Sequence, residues 1–387
     1  MSTFNAYCDS FRDTWERLNV KTGVDEPFPS FVAEIADQIK NFMVPANRKY
    51  QGATGNARGM LDALARYVRE CTLEDSQVDR FLGSVSAILQ FLLCVRLTSQ
   101  VPLNTEYFLR RHLQLARPST VEEAKRVLAE RVEFHLDDYV ATEEAISSHI
   151  EKRIIDRVEQ YGGEPVVVGT HCHSGVVRRA IVKAKDRIKL VVVDKTEPEQ
   201  QGVLTAFELL QAGVPVKLIN LAQFGIEFRR IGFFLFGVDA VSADGTVLNK
   251  TGTRMLATLA KTKDIPVFFL GSTYKYARDT LLGGLVPIEH RQVEEKVFNN
   301  HLGIDLSPWY RPDAERRGSD GRPLLTTQFS AFDTTKAAFY DAVVSEVGFL
   351  PMREAFQARW GSYLEGDPEW TKYVPAVTKR KEKGVEK

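Results

Sequence analysis

Strand and helix alternate along residues 166–277. Five apolar, β-branched or aromatic runs stand there: VVVG at 166–169, LVVVD at 190–194, VKLIN at 216–220, FFLFGVDAV at 233–241 and VFFL at 267–270. Amphipathic segments of helical length, such as GVVRRAIVKAKDR and GVLTAFELLQAG, separate them. Runs buried on both faces and linked by helices predict a parallel sheet covered on both sides. In such a sheet the ligand crevice lies beyond the carboxyl ends of the strands. The stretch before it reads differently. FRDTWERLNV, FVAEIADQIKNFM, GNARGMLDALARYVREC and SVSAILQFLLCVRLTSQVPLNTEYFLRRHLQ have helical period, and 121–161 is a long charged-amphipathic segment that connects them to the sheet.

The chemistry gathers just past the strand ends. THCHSG (170–175) follows the first strand, so Cys172 precedes a helix that Ser174 is placed to cap, where the dipole tends to lower a thiol pKa. GVDA puts Asp239 at the end of the fourth run. Asn249, Lys250, Thr251 and Gly252 then lead into a helix whose first amides suit an anion, and GSTYK brings Ser272, Thr273 and Lys275. A small-residue loop, Gly52 to Asn56, opens the third N-terminal helix; it reads either as a phosphate-binding turn or as a plain capping turn. Asp194 reads as structural. His171, Cys172 and His173 raise zinc, but alternation splits them between faces and no second ligand pair accompanies them, so the expected cofactor is none. The first βα turn lacks GxGxxG, so nothing there points to a dinucleotide.

Composition narrows the function classes. The 387 residues hold 51 Lys+Arg and 51 Asp+Glu, which gives no bulk electrostatic case for nucleic acid or an anionic membrane. No apolar run reaches transmembrane length and no signal-peptide layout opens the chain. The four cysteines, Cys8, Cys71, Cys94 and Cys172, form no CxxC or disulfide pattern, so a reducing, cytoplasmic setting is expected.

THCHSG, QGVLTAFEL, GVDAVSADGTVLNKTGT and TYKYARDTLLGGLVPIE recur in an order and spacing that resemble the ribose-1,5-bisphosphate isomerase branch of a superfamily. That superfamily also contains methylthioribose-1-phosphate isomerase and the regulatory α, β and δ subunits of translation initiation factor 2B. The resemblance implies an aldose–ketose isomerase acting on a phosphorylated sugar, with Cys172 shuttling the proton at carbon and Asp239, kept neutral by burial, protonating the ring oxygen. It implies that Gly52, Ala53, Arg96, Ser174, Gly175, Asn249, Lys250 and Lys275 hold phosphate and hydroxyl groups. Arg96 has a second reading, as a helix-end arginine pairing with a carboxylate. Self-association through the α/β domain is also implied. Three positions depart from the pattern: Gln51 and Glu197 stand where the isomerases carry arginine, and His173 where asparagine is usual. The departures leave a one-phosphate substrate open, as in methylthioribose-1-phosphate isomerase. The regulatory subunits remain the non-catalytic alternative, although they generally lack the cysteine and the aspartate that this chain keeps.

The expected architecture is therefore α/β: a helical N-terminal domain (1–149) followed by a doubly wound, mostly parallel, Rossmann-like sheet domain (150–350). Residues 351–387 form an extension whose charged tail is expected to be disordered, and 301–328, rich in Pro, Gly and charge, reads as a mobile insertion.

Overall fold

The computed structural model describes residues 2–41, 45–160, 162–292, 317–322, 324–325 and 328–364. Most of the 301–328 insertion and the tail from 365 lie outside the described residues.

Six helices come first: α1 (Ser2–Thr22), α2 (Ser30–Lys40), α3 (Gly52–Glu70), α4 (Val78–Leu93), α5 (Gln100–Ala116) and α6 (Val121–Gln160). Their apolar faces close on Trp15, Phe81, Leu61, Leu64 and Phe108. Arg80 and Glu26 are both buried there, 3.1 Å apart. The carboxylate also accepts from Tyr67 Oη (2.8 Å) and Ser84 Oγ (2.7 Å), so this buried charge is paired and hydrogen-bonded. The 40 residues of α6 form one helix, about 60 Å long at 1.5 Å per residue. It passes residue 149 without a break. Val121, Ala124 and Leu128 pack in the helical core, while Ile146, Ile150, Ile154 and Val158 pack under the sheet.

The sheet contains β1 (Val166–Thr170), β2 (Ile188–Asp194), β3 (Val216–Ile219), β4 (Phe233–Gly237), β7 (Val267–Leu270) and β11 (Ala342–Val344). Their order is β11-β7-β4-β1-β2-β3, and every pairing is parallel. Connections run one way from β1 and the other way after β3, which is the doubly wound order. Period-2 alternation assigns the faces. Phe234 and Phe236 join the core shared with the N-terminal helices, whereas Phe233 and Leu235 join the core formed with α6 and α7 (Gly175–Lys183). The remaining helices are α8 (Gln201–Gln211), the single turn α9 (Phe224–Glu227), α10 (Thr253–Lys261) and α11 (Met352–Leu364).

The five apolar runs are all strands of this sheet, but the end of the sheet differs from the sequence reading. The run 233–241 breaks after Gly237 into β4 and a separate β5 (Ala240–Val241). The latter pairs antiparallel with β6 (Val247–Lys250), which in turn pairs with β10 (Phe332–Thr335). The segment after β10 supplies the sixth strand of the main sheet, β11, which pairs with β7. A pairing between positions more than seventy residues apart leaves no local periodicity to read. A short ribbon, β8 (His290–Gln292) with β9 (Gln328–Ser330), completes the described elements.

Candidate functional site

β1 and β4 are neighbours, and the chain leaves them in opposite directions, so the switch point of the sheet lies between their carboxyl ends. Cys172 and Asp239 follow these two strands. The close approach depends on Gly237, because a Cβ there would lie 2.7 Å from that of Ser174.

A cavity of about 430 Å³ opens at this point. His173, Ser174 and Gly175 line it after β1, Val238 and Asp239 after β4, and Gly271, Ser272 and Lys275 after β7. Asn249 reaches it from β6, its amide nitrogen 3.1 Å from Thr253 Oγ1. The opposite wall comes from the helical domain: Gln51 to Gly55 at the start of α3, and Tyr139, Thr142 and Glu143 of α6. Gly55 has to be glycine, since a Cβ would fall 2.4 Å from the backbone carbon of Tyr50. The sequence-derived residues Gly52, Ala53, Ser174, Gly175, Asp239, Asn249 and Lys275 therefore share one cavity.

Three others are placed differently. Arg96 lies outside the cavity, with its Nε 3.3 Å from Glu289 Oε2, as its second reading anticipated. Lys250 is 3% exposed and ion-paired with Glu199. Cys172 is half-buried next to the lining residue His173 but does not itself line the cavity, and it sits in the left-handed region at φ 66. Its N–H donates to Thr196 Oγ1 (3.0 Å), and its thiol donates to Gln201 Oε1 (2.8 Å). The expectation of a depressed thiol pKa is overturned. Burial pushes it up to about 12, assisted by Asp239 and Glu199 and opposed by Lys250 and the His173 amide. The helix begins only at Gly175, three residues on, so its dipole does not outweigh desolvation.

The amides at the start of α10 are also not open to a phosphate. Asp333 of β10 accepts from Gly252 N (2.8 Å) and Arg254 N (3.1 Å). Burial nevertheless raises the Asp333 pKa, with those two bonds opposing it. Asp194 braces the turn after β2: its carboxylate accepts from Thr196 N (2.6 Å) and lies 2.5 Å from His171 Nδ1, while His171 Nε2 lies 3.0 Å from Thr251 O. His173 turns from the thiol toward Thr205 Oγ1 (3.1 Å), and that hydroxyl donates to Cys172 O (2.8 Å). Burial, with Arg178 and Arg48 nearby, lowers its pKa to about 4 and keeps it neutral. Among the described residues no group of three or more His, Cys, Asp or Glu is placed to hold a metal.

The cavity contains cations that the motifs do not mark. Arg48, Lys49 and Arg58 line the wall where Gln51 replaces arginine. Lys49 lies 3.8 Å from Asp62, whereas no ion pair to a described residue involves Arg48 or Arg58. Two of the cavity carboxylates pair with other bases: Glu143 with Arg179 (3.3 Å) and Glu208 with Arg178 (2.9 Å). Burial lowers the Lys275 pKa, while Asp239 and Glu143 oppose that shift, and its ammonium donates to Val238 O. Glu197 is exposed and lies outside the lining.

A doubly wound sheet whose switch-point cavity is closed by a helical domain and lined with guanidinium groups defines an α/β protein with a cation-lined cavity at the switch point. The chain belongs to the Initiation factor 2 subunit family, whose profile matches residues 49–352. It is similar to ribose 1,5-bisphosphate isomerase of Archaeoglobus fulgidus, at 26% identity over 327 residues covering 84% of this chain and 91% of that protein. It is also similar to methylthioribose-1-phosphate isomerase of Synechocystis, at 28% identity covering 76% and 81%. Two solved structures share the fold. The translation initiation factor eIF-2B of Pyrococcus horikoshii OT3 aligns with TM-score 0.62 at 21% identity, over 85% of this chain and all (100%) of that one. The 5-methylthioribose 1-phosphate isomerase of the same organism aligns with TM-score 0.60 at 20% identity, over 86% and 88%. Among the described residues no helix is long and apolar enough to cross a membrane.

Proposed function

We propose that the chain is an aldose–ketose isomerase for a ribose 1-phosphate-type sugar, with ribose 1,5-bisphosphate as substrate and ribulose 1,5-bisphosphate as product. The carrying observation is that Asp239, Asn249, Lys275 and the start of α3 meet in one cation-lined cavity beside Cys172, in a chain whose relatives include sugar-phosphate isomerases. Arg48 and Arg58 supply guanidinium charge on the wall where Gln51 has none, which supports a second phosphate.

A sugar with phosphate on C1 cannot open its ring unaided. In the reaction we propose, the Cys172 thiolate removes the C2 proton as the C1–ring-oxygen bond breaks, and protonated Asp239 gives its proton to that oxygen. The thiol then returns the proton to C1 while the C2 hydroxyl proton passes to the Asp239 carboxylate. A ketone remains, and both groups regain their starting states. Asn249, Lys275 and the α3 amides hold the oxygens and phosphates.

The protonated thiol and the Glu199-paired Lys250 favour one second reading, a non-catalytic sugar-phosphate sensor like the regulatory subunits. A homo-oligomer fits the exposed apolar stripe Val203, Phe207 and Leu210 on α8, with Leu218 beside it on the edge strand β3.

The test is turnover of ribose 1,5-bisphosphate, ribose 1-phosphate and methylthioribose 1-phosphate, followed by NMR in deuterated water. Turnover of the bisphosphate with deuterium entering at carbon is the expected result. Turnover without deuterium replaces the proton shuttle by a hydride shift. Binding without turnover of any of the three favours the sensor.

A further inference from the structure

Buried groups outside the cavity lining converge on Cys172, and the turn after β2 organises them. Residues 194–201 fold over the cysteine from one side. Thr196 Oγ1 accepts from its N–H at 3.0 Å, and Gln201 Oε1 accepts from its thiol at 2.8 Å. Between these two contacts the same turn sends Glu199 to the Lys250 ammonium, with side chains 16% and 4% exposed. Lys250 is anchored on β6 between β5 and β10, so it cannot withdraw to solvent. The turn itself is fixed at its base, because Asp194 binds both Thr196 N and His171.

We propose that Glu199 is a positioning residue that acts through Lys250: by pairing with the ammonium beside Cys172, it keeps the thiol protonated and unreactive until the pair is disturbed. This role rests on the isomerase reading, in which the thiolate is the base, but the groups involved need no substrate. The ionisable groups that act on the thiol stand on three elements: Lys250 on β6, Asp239 after β4 and Glu199 in the turn after β2. His171 is held away by Asp194 and Thr251, and His173 is neutral and turned to Thr205. Lys250 draws the thiol toward ionisation, and Glu199 opposes it both directly and by pairing with it. Lys250 was expected from the motif to hold phosphate. An ammonium already paired in a nearly dry site has less charge to offer either a phosphate or a thiolate.

The experiment is alkylation of the full chain by iodoacetamide, with the Cys172 peptide quantified by mass spectrometry at fixed pH values between 7 and 9. Reading a single peptide separates Cys172 from the other three cysteines. Glu199→Gln is expected to raise the Cys172 rate about tenfold at each pH, the change that accompanies one unit of thiol pKa. Lys250→Gln is expected to lower it. The opposite signs are diagnostic, because a substitution that merely loosened the turn would expose the thiol and accelerate both variants. Acceleration of both, or an unchanged rate in Glu199→Gln, overturns the proposal. The assay contains no sugar phosphate, so failure to find a substrate would count against the isomerase reading alone.

Discussion

A thiol raised to about 12 makes a sharp demand on the pH dependence of an isomerase that uses it as a base. At pH 7 about one thiol in 100,000 is ionised, and forming the thiolate costs about 7 kcal/mol at 1.36 kcal/mol per pH unit. Each unit of added pH removes that amount until the pKa is reached. Phosphate monoesters are fully charged above about pH 6, so from pH 7 the substrate no longer titrates. The specificity constant kcat/KM reports groups of the free enzyme. With Asp239 protonated across that window, as the proposed acid role requires, it is expected to rise about tenfold per unit between pH 7 and 9, with no plateau. The assay is initial rate at low substrate, with Cys172→Ser as the control. Serine keeps the shape of the side chain but ionises far less readily, and its expected loss exceeds about a thousandfold with ligand binding retained. A flat profile from pH 7 to 9 in an enzyme that still requires Cys172 would refute the reasoning, because the thiolate would then not arise by proton loss to solvent.

Three further outcomes are expected. Asp239→Asn removes the proposed acid, so isomerisation should fall by a factor of about a hundred or more while Cys172 alkylation at pH 8 is no slower than in the parent; a parallel fall in both would separate Asp239 from the acid role. Arg58→Ala should weaken binding of a bisphosphorylated sugar about tenfold to hundredfold, as loss of a charge-assisted hydrogen bond of about 1.5–3 kcal/mol requires, and calorimetry showing no change would place the phosphate elsewhere. Glu197→Arg should leave that affinity within about twofold, since the side chain is exposed outside the cavity; tenfold tightening would mean that the turn closes on the ligand.

Much of the frame was legible because it is written in local periodicity. Apolar runs at 166–169, 190–194, 233–237 and 267–270 suit strands buried on both faces of a parallel sheet, 216–220 suits its edge, and the helices between them follow. Positions immediately after those runs had to fall on one rim, which is why Ser174, Asp239, Asn249 and Lys275 could be named from their place in the chain and are found lining one cavity. The departures at Gln51 and Glu197 were visible too, as single letters. What they meant was not, because the consequence depends on which other cations stand nearby.

The chain by itself thus determined the sheet, its helical cover and the rim on which polar residues gather, since each follows from burial at fixed period. Tertiary structure alone decided the rest. Arg48 and Arg58 belong to no motif and enter the cavity only because the start of α3 packs across the switch point. Asp333, from a strand 79 residues further on, takes the Gly252–Arg254 amides that the local pattern offered to a phosphate. Glu199 takes Lys250 across 51 residues. The thiol is raised rather than lowered because desolvation is a property of everything packed around a group, whereas the helix dipole is a property of its neighbours in the chain.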